Sequence, residues 1–264
     1  MHTSTVSSLQ NPMVKRVCAL QQKASERKRE KVFVVEGRRE VGQCVAAGFE
    51  IETLFFCPPL AHAAPEGLSP HACIEVAPAV YAKMAYRGST EGVLAVVREK
   101  TLVPDDLPHT EAPLYIVLES VEKPGNLGAV LRSADAAGAD AVFVCDPLCD
   151  LGNPNLIRSS IGARFTVPLV SCTSAECIAF LKGRGVSILT AQLQDSKLYY
   201  STDMLGPTAI VMGTESVGLT QQWREAADAH IRIPMLGRLD SLNVSVSAAV
   251  LLFEAVRQRA GQNV

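Results

Sequence analysis

Apolar and polar positions follow two periods along this chain, and their alternation divides it into a shorter front part and a longer back part. Residues 12–29 place apolar residues at helical spacing among basic ones, predicting one basic amphipathic helix. Val32–Val35 reads as a strand, Arg39–Ala47 as a helix leading through Gly48, and Ile51–Phe56 as a second strand. Residues 57–72 are rich in Pro, Ala and His and read as loop, followed by a helical Tyr81–Tyr86 and a strand at Val93–Val97. These elements predict a small α/β domain over residues 1–100. Residues 101–113 are proline-rich and acidic, the composition of a linker. Beyond them strands are predicted at Leu114–Leu118, Ala141–Cys145, Ser187–Ala191, Ala209–Met212 and His230–Ile233. Helices are predicted at Leu127–Ala137, Ala175–Lys182, Leu219–Ala226 and Val244–Arg259, with a further segment around Leu156–Gly162. Strands alternating with helices over 114–264 predict a mostly parallel sheet covered on both faces.

Composition narrows the class. Apolar residues make up 48% of the 264 and charged residues 20%, enough to build cores and too apolar for a disordered chain. The longest apolar run, Ala248–Phe253, is far too short to span a bilayer, and residues 1–16 contain no apolar signal-peptide core. A cytoplasmic protein with no membrane partner is expected.

The net charge of −2 argues against a polyanionic partner, but its distribution argues for one. Between Lys15 and Arg39 nine basic residues face only Glu26, Glu30 and Glu36, so this segment carries +6 and the remainder −8. A solvated helical face with i,i+4 ion pairs is the plainer explanation of the same residues. The eight cysteines form no C-x-x-C pair, and Cys145/Cys149 and Cys172/Cys177 are the only close couples. They read as small core residues of a reduced protein, and no metal site is expected.

Three loops after strands carry the candidate chemistry. In Glu119–Arg132 (ESVEKPGNLGAVLR) Asn126 stands where an N-cap belongs, and Arg132 projects above Gly128 one turn earlier. A capped helix with an Arg132–Asp135 surface pair would account for this loop equally well. Gly213-Thr-Glu-Ser-Val-Gly218-Leu-Thr220 is a near miss to a phosphate-binding loop, with Leu219 where the lysine must be. Without that lysine, and with Glu215 repelling phosphate, an NTPase is disfavoured; a tight strand-to-helix turn explains the loop. The third loop, Ile233–Val246, introduces a helix apolar on nearly all sides through Ser241, Asn243 and Ser245, more potential caps than one helix requires.

Together these loops resemble the motifs of the SpoU/TrmH family, the RNA ribose 2′-O-methyltransferases of the SPOUT superfamily. The first family motif matches Asn126, Gly128 and Arg132, the second Gly213, Glu215, Gly218 and Leu219, and the third Ile233 through Ser245. Ser216 and Ser133 stand where many relatives carry Gly and Thr or Asn. The front part, with Ser8, Asn11-Pro12, a basic helix and Phe33–Gly37, is similar to the family's ribosomal-protein-like substrate-binding domain.

The resemblance implies a trefoil-knotted catalytic domain, a homodimer formed through it, S-adenosylmethionine (SAM) as methyl donor, and the 2′-hydroxyl of ribosomal or transfer RNA as acceptor, ribosomal RNA being favoured. Ala191, Gly213, Ile233 and Leu242 would cradle the cofactor. Arg132 would act on the hydroxyl, as base or as orienting group; Asn126 would fix the ribose or the arginine; Glu215 would orient Arg132 or Asn126; Ser241 and Asn243 would organise the acceptor site. Lys15, Arg16, Arg27, Arg29 and Arg38 would contact RNA phosphates. The competing expectation is an RNA-binding module whose methyltransferase site is vestigial.

Overall fold

Short runs of β-branched and aromatic residues become the strands of two separate sheets in a computed structural model, which describes residues 5–61, 72–86, 91–214 and 217–261. The chain forms two units, Met1–Lys100 with Asp150–Thr166, and Thr101–Cys149 with Val167–Val264. The expectation that residues 114–264 form one uninterrupted domain therefore needs a correction: Asp150–Thr166 packs with the front part.

In the first unit, strands β1 (Val32–Glu36), β2 (Ile51–Phe56), β3 (Ala72–Glu75) and β4 (Val93–Arg98) form a sheet in the order β1-β4-β2-β3. The β1–β4 and β4–β2 pairs are antiparallel and β2–β3 is parallel. The basic segment folds as two helices, not one: α1 (Pro12–Gln22), capped by the Asn11 side chain, and α2 (Ala24–Glu30), separated by an extended Lys23. Helix α3 (Arg38–Ala46) follows, and residues 57–72, expected as loop, contain the short α4 (Pro58–Ala61) and the start of β3. Helix α5 (Pro78–Met84) packs with α1 over one sheet face, burying Val14, Val17, Leu20, Val80 and Tyr81. Helices α7 (Pro154–Ser160) and α8 (Ala163–Thr166) add to this unit, where Phe33, Phe49 and Phe165 form an aromatic cluster.

The second unit is built on seven parallel strands: β5 (Leu114–Glu119), β6 (Ala141–Cys145), β7 (Leu169–Cys172), β8 (Ser187–Ala191), β9 (Lys197–Leu198), β10 (Thr208–Met212) and β11 (Ala229–Arg232). Their order is β7-β6-β5-β10-β8-β11-β9. The side chains of β5 alternate between faces but are buried on both, as a doubly covered parallel strand requires. Tyr115 and Val117 join Phe143, Phe180 and Trp223 in a core completed by α9 (Ser174–Gly183) and α10 (Gln221–Ala226). On the opposite face α6 (Pro124–Ala136) packs against α11 (Val244–Ala260).

Sheet order places the site. From β5 the chain builds outward through β6 and β7, then crosses to β8, and β10 later inserts between β5 and β8. The direction of winding reverses between β5 and β10, and ligands in such sheets bind beyond the carboxyl ends of the strands near that point, here where the loops after β8, β10 and β11 come together. Among the described residues no helix is long and apolar enough to cross a membrane.

Candidate active site

Each motif loop leaves the carboxyl end of a parallel strand, so the sheet delivers all three to one edge. After β5 the chain turns and α6 starts at Pro124, with Lys123 at the cap position. Asn126 is therefore in the first helical turn and is not the N-cap. Pro124 explains the earlier start, because a proline at a helix's first position gives up an N–H that would have no partner. The Asn126 side chain accepts a 3.3 Å hydrogen bond from Nδ2 of Asn243, joining the first and third motifs across 117 residues. Asn243 is the N-cap of α11, its Oδ1 accepting from the backbone N–H and the hydroxyl of Ser245 at 2.9 and 2.7 Å. Of the three potential caps, Asn243 does the capping. Ser241 lies exposed beside Asp240, and Arg132 is exposed on α6.

The second motif closes on itself. The N–H of Thr214 donates to the carbonyl of Gly218 at 3.3 Å, and the N–H of Gly218 donates back at 3.1 Å. Gly218 adopts a left-handed φ of 71°, and a Cβ on Gly213 would collide with the Gly218 carbonyl group and the Leu219 nitrogen. Glycine at 213 is thus required by the loop's own backbone. Glu215 and Ser216 lie outside the described residues.

Beneath this loop Glu119, 3% exposed at the end of β5, accepts hydrogen bonds from the Thr220 N–H at 2.8 Å and hydroxyl at 2.6 Å. Ser174 extends the network: its hydroxyl reaches Asp146 at 2.6 Å and accepts from the Trp223 indole at 3.0 Å. Glu119 was not among the expected site residues. Its signal is an acid ending an otherwise apolar strand, LYIVLE. Replacing Glu119 with Ala removes the acceptor of both polar groups of the exposed Thr220, and each lost hydrogen bond costs about 1 kcal/mol. A fall in thermal midpoint together with weaker cofactor binding is expected; calorimetry and a binding titration would check both.

A cavity of about 420 Å³ opens between the loops, within the range of small-molecule sites. Ala191, Gly213, Ile233 and Leu242 all line it, together with Ser241 and apolar side chains including Met212 and Leu251. Two polar atoms in its wall, Gln192 Oε1 and Arg224 Nε, are buried without a hydrogen-bond partner. Such groups suit a ligand that supplies both a donor and an acceptor. A smaller cavity of about 130 Å³ adjoins Asn126, Glu122, Lys123, Thr214 and Val244.

Most of the basic residues in the first unit are already partnered. Arg27 is 4% exposed, ion-paired with Asp150 and bonded to the Leu20 carbonyl, so it holds the unit together and offers nothing to a phosphate. Arg16 bridges Glu30 and Glu52 at 2.6 Å each. Burial works against its charge, but hydrogen bonds and Coulomb attraction to Glu52 and Glu30 raise its pKa above the ordinary arginine value. Arg29 is exposed yet held by Glu26 and Glu30, and Arg38 donates to the Ala61 carbonyl. Lys15 is exposed.

Comparison with known proteins decides the family. Residues 113–253, which include all three loops, match the SpoU rRNA methylase family. The chain belongs to the SpoU rRNA methylase family. Residues 11–95 of this SpoU methylase also match an MRM3-like substrate-binding domain. It is 38% identical over 185 residues to the 23S rRNA (guanosine-2′-O-)-methyltransferase RlmB of Pectobacterium atrosepticum, covering 68% of this chain and 76% of that one. The RlmB of Ralstonia nicotianae is 43% identical over 149 residues, 56% of this chain and 60% of that one. Among solved structures, an RNA 2′-O ribose methyltransferase superposes with a TM-score of 0.81 at 36% identity, covering 97% of this chain and all of that one. The AdoMet-bound rRNA methyltransferase of Sinorhizobium meliloti gives 0.86 at 30% identity, over 96% and 97% of the two chains. The knot itself is a property of chain threading that strand order alone does not define, whereas the parallel α/β sheet of the SPOUT methyltransferases is present here.

Proposed function

We propose that this SpoU methylase transfers a methyl group from SAM to the ribose 2′-hydroxyl of a guanosine in large-subunit ribosomal RNA. The observation that carries the reading is the 420 Å³ cavity, which unites residues of the second and third motifs with Ala191. Its residues fit the cofactor: Ile233, Leu242 and Met212 offer apolar walls for an adenine, while Gln192 and Arg224 offer the orphaned polar atoms. SAM supplies an electrophilic methyl group on a sulfonium.

The chain's own residues position the acceptor. Asn243 holds Asn126 through the bond between them, tying the first turn of α6 to the start of α11. The Arg132 guanidinium, a planar fork of N–H donors, grips the phosphate beside the target ribose and orients its hydroxyl. Positioning of this kind supplies much of the acceleration for a bimolecular transfer. Ser241 shapes the wall where acceptor and donor meet, and Glu215 takes the orienting role that the second family motif implies.

The first unit docks RNA through its exposed cations, Lys15 and Arg29 among them, with the further exposed Lys23, Lys28 and Arg39 in support. Arg16 and Arg38 contribute chiefly to the scaffold that presents them. A homodimer forms through the catalytic unit, where α11 leaves Val246 and Phe253 each 48% exposed. The C-terminal segment is threaded as a trefoil knot, and the compartment is the cytoplasm.

Incubation with methyl-labelled SAM and separate 23S, 16S and transfer RNAs tests the reading. Label is expected on a guanosine ribose of 23S RNA alone. Label confined to transfer RNA or to a base would overturn it, and RNA binding without any label would establish the non-catalytic module instead.

A further inference from the structure

The fold gathers three cysteines that the sequence keeps apart. Cys145 ends β6, Cys172 ends β7 directly beside it in register, and Cys177 lies near the start of α9. Their sulfurs all lie within 4.8 Å of one another. Cys145 and Cys177 are fully buried, and Cys172 is partly open to solvent. The start of α9 is fixed by a reciprocal cap between Thr173 and Glu176, so the third thiol is not carried on a loose segment.

Three convergent thiols can become a disulfide or a metal site. A disulfide needs two sulfurs at about 2.05 Å and leaves the third unused. Three thiolates around a zinc-like ion at about 2.3 Å stand roughly 3.8–4.0 Å apart, a much smaller displacement from the observed cluster. The charged groups acting on Cys172 are the carboxylates of Glu176 and Asp146. Three thiolates beside two carboxylates favour a divalent over a monovalent cation, and thiolate donors select soft or borderline metals.

We propose that Cys145, Cys172 and Cys177 form a binding site for one thiophilic divalent cation of the zinc class, with the solvent side of Cys172 leaving the fourth position to water. Asp146 and Ser174 flank the cluster and belong to the network that ends at Glu119 and Thr220, so a bound ion braces the support beneath the second motif.

Cadmium titration of the full chain carrying Cys18→Ser and Cys73→Ser tests this. One ion per chain, with thiolate-to-cadmium charge-transfer absorbance and zinc competing for the same site, is expected. Cys172→Ser should weaken binding by about tenfold or more, since even groups outside a coordination shell matter that much. Cys177→Ala should do the same, and matching circular dichroism of the metal-free variants shows that they fold. Absence of stoichiometric binding, or equal binding in Cys172→Ser, overturns the proposal. So does a Cys172 disulfide forming on mild oxidation in a reduced protein that takes up no metal.

Discussion

Replacing Arg132 with Ala is expected to reduce methyl transfer to ribosomal RNA by on the order of a hundredfold or more while leaving SAM affinity within about twofold, as follows when an orienting group rather than a cofactor contact is removed. Arg132 is exposed on α6, outside the set of residues lining the 420 Å³ cavity. Its removal therefore deletes no wall of the cofactor site and buries no unpaired group. Arg132→Lys keeps the charge and loses the planar fork that binds phosphate through two parallel bonds, so partial activity is expected. Single-turnover rates on a 23S fragment, beside calorimetric SAM titrations, check both variants. Full turnover in Arg132→Ala would remove Arg132 from the mechanism, and lost SAM binding would reassign it to the cofactor site.

The motif residues were legible because their spacing is fixed by strand-to-helix turns, where local chemistry and tertiary position coincide. Elements without such chemistry were less so. β7 is a four-residue strand, LVSC, whose last two residues are only partly buried, and β9 has two residues. Neither is long enough to show a period. The break at Lys23 carries no Gly or Pro, and just beyond it Arg27 turns inward to Asp150 and the Leu20 carbonyl. That pairing joins positions 123 residues apart. For the same reason no local pattern signals that Asp150–Thr166 belongs with the first unit.

The ion-paired explanation of the basic segment holds for several of its arginines. The +6 of residues 15–39 counts Arg16 as available, whereas Glu52, outside the counted segment, helps to hold it. Glu26 and Glu30, inside the segment, act as acceptors for Arg29. Lys15, Lys23, Lys28 and Lys31 of the segment are all exposed, whereas Arg16 and Arg27 are drawn into ion pairs with carboxylates of the first unit. Glu119 shows the converse. A single acid at a strand end looks incidental in one dimension, yet it holds both polar groups of Thr220 and so the exit of the second motif.

The second motif also carries the other large expected effect. Gly213→Ala places a methyl group against the Gly218 carbonyl and the Leu219 nitrogen, atoms of backbone that cannot rotate away as a side chain would. The loop must open to admit it, breaking the paired Thr214–Gly218 hydrogen bonds and moving a segment whose other end is anchored through Thr220 to Glu119. Each lost bond costs about 1 kcal/mol, so the fold survives as a slightly less stable protein. SAM binding does not survive in the same way, because Gly213, Thr214, Val217, Gly218 and Leu219 all line the cavity. A displacement of about 1 Å also costs about a hundredfold in the rate of transfer from whatever SAM still binds. The expected pattern is thus opposite to that of Arg132→Ala: weak SAM binding and intact RNA docking, with a modest fall in thermal midpoint. Gly218→Ala should be milder, since its Cβ meets open space and only its left-handed φ of 71° is penalised, about 1–2 kcal/mol. Calorimetric SAM titration of both variants checks the order; equal affinities would mean that loop closure at Gly213 does not shape the cofactor site.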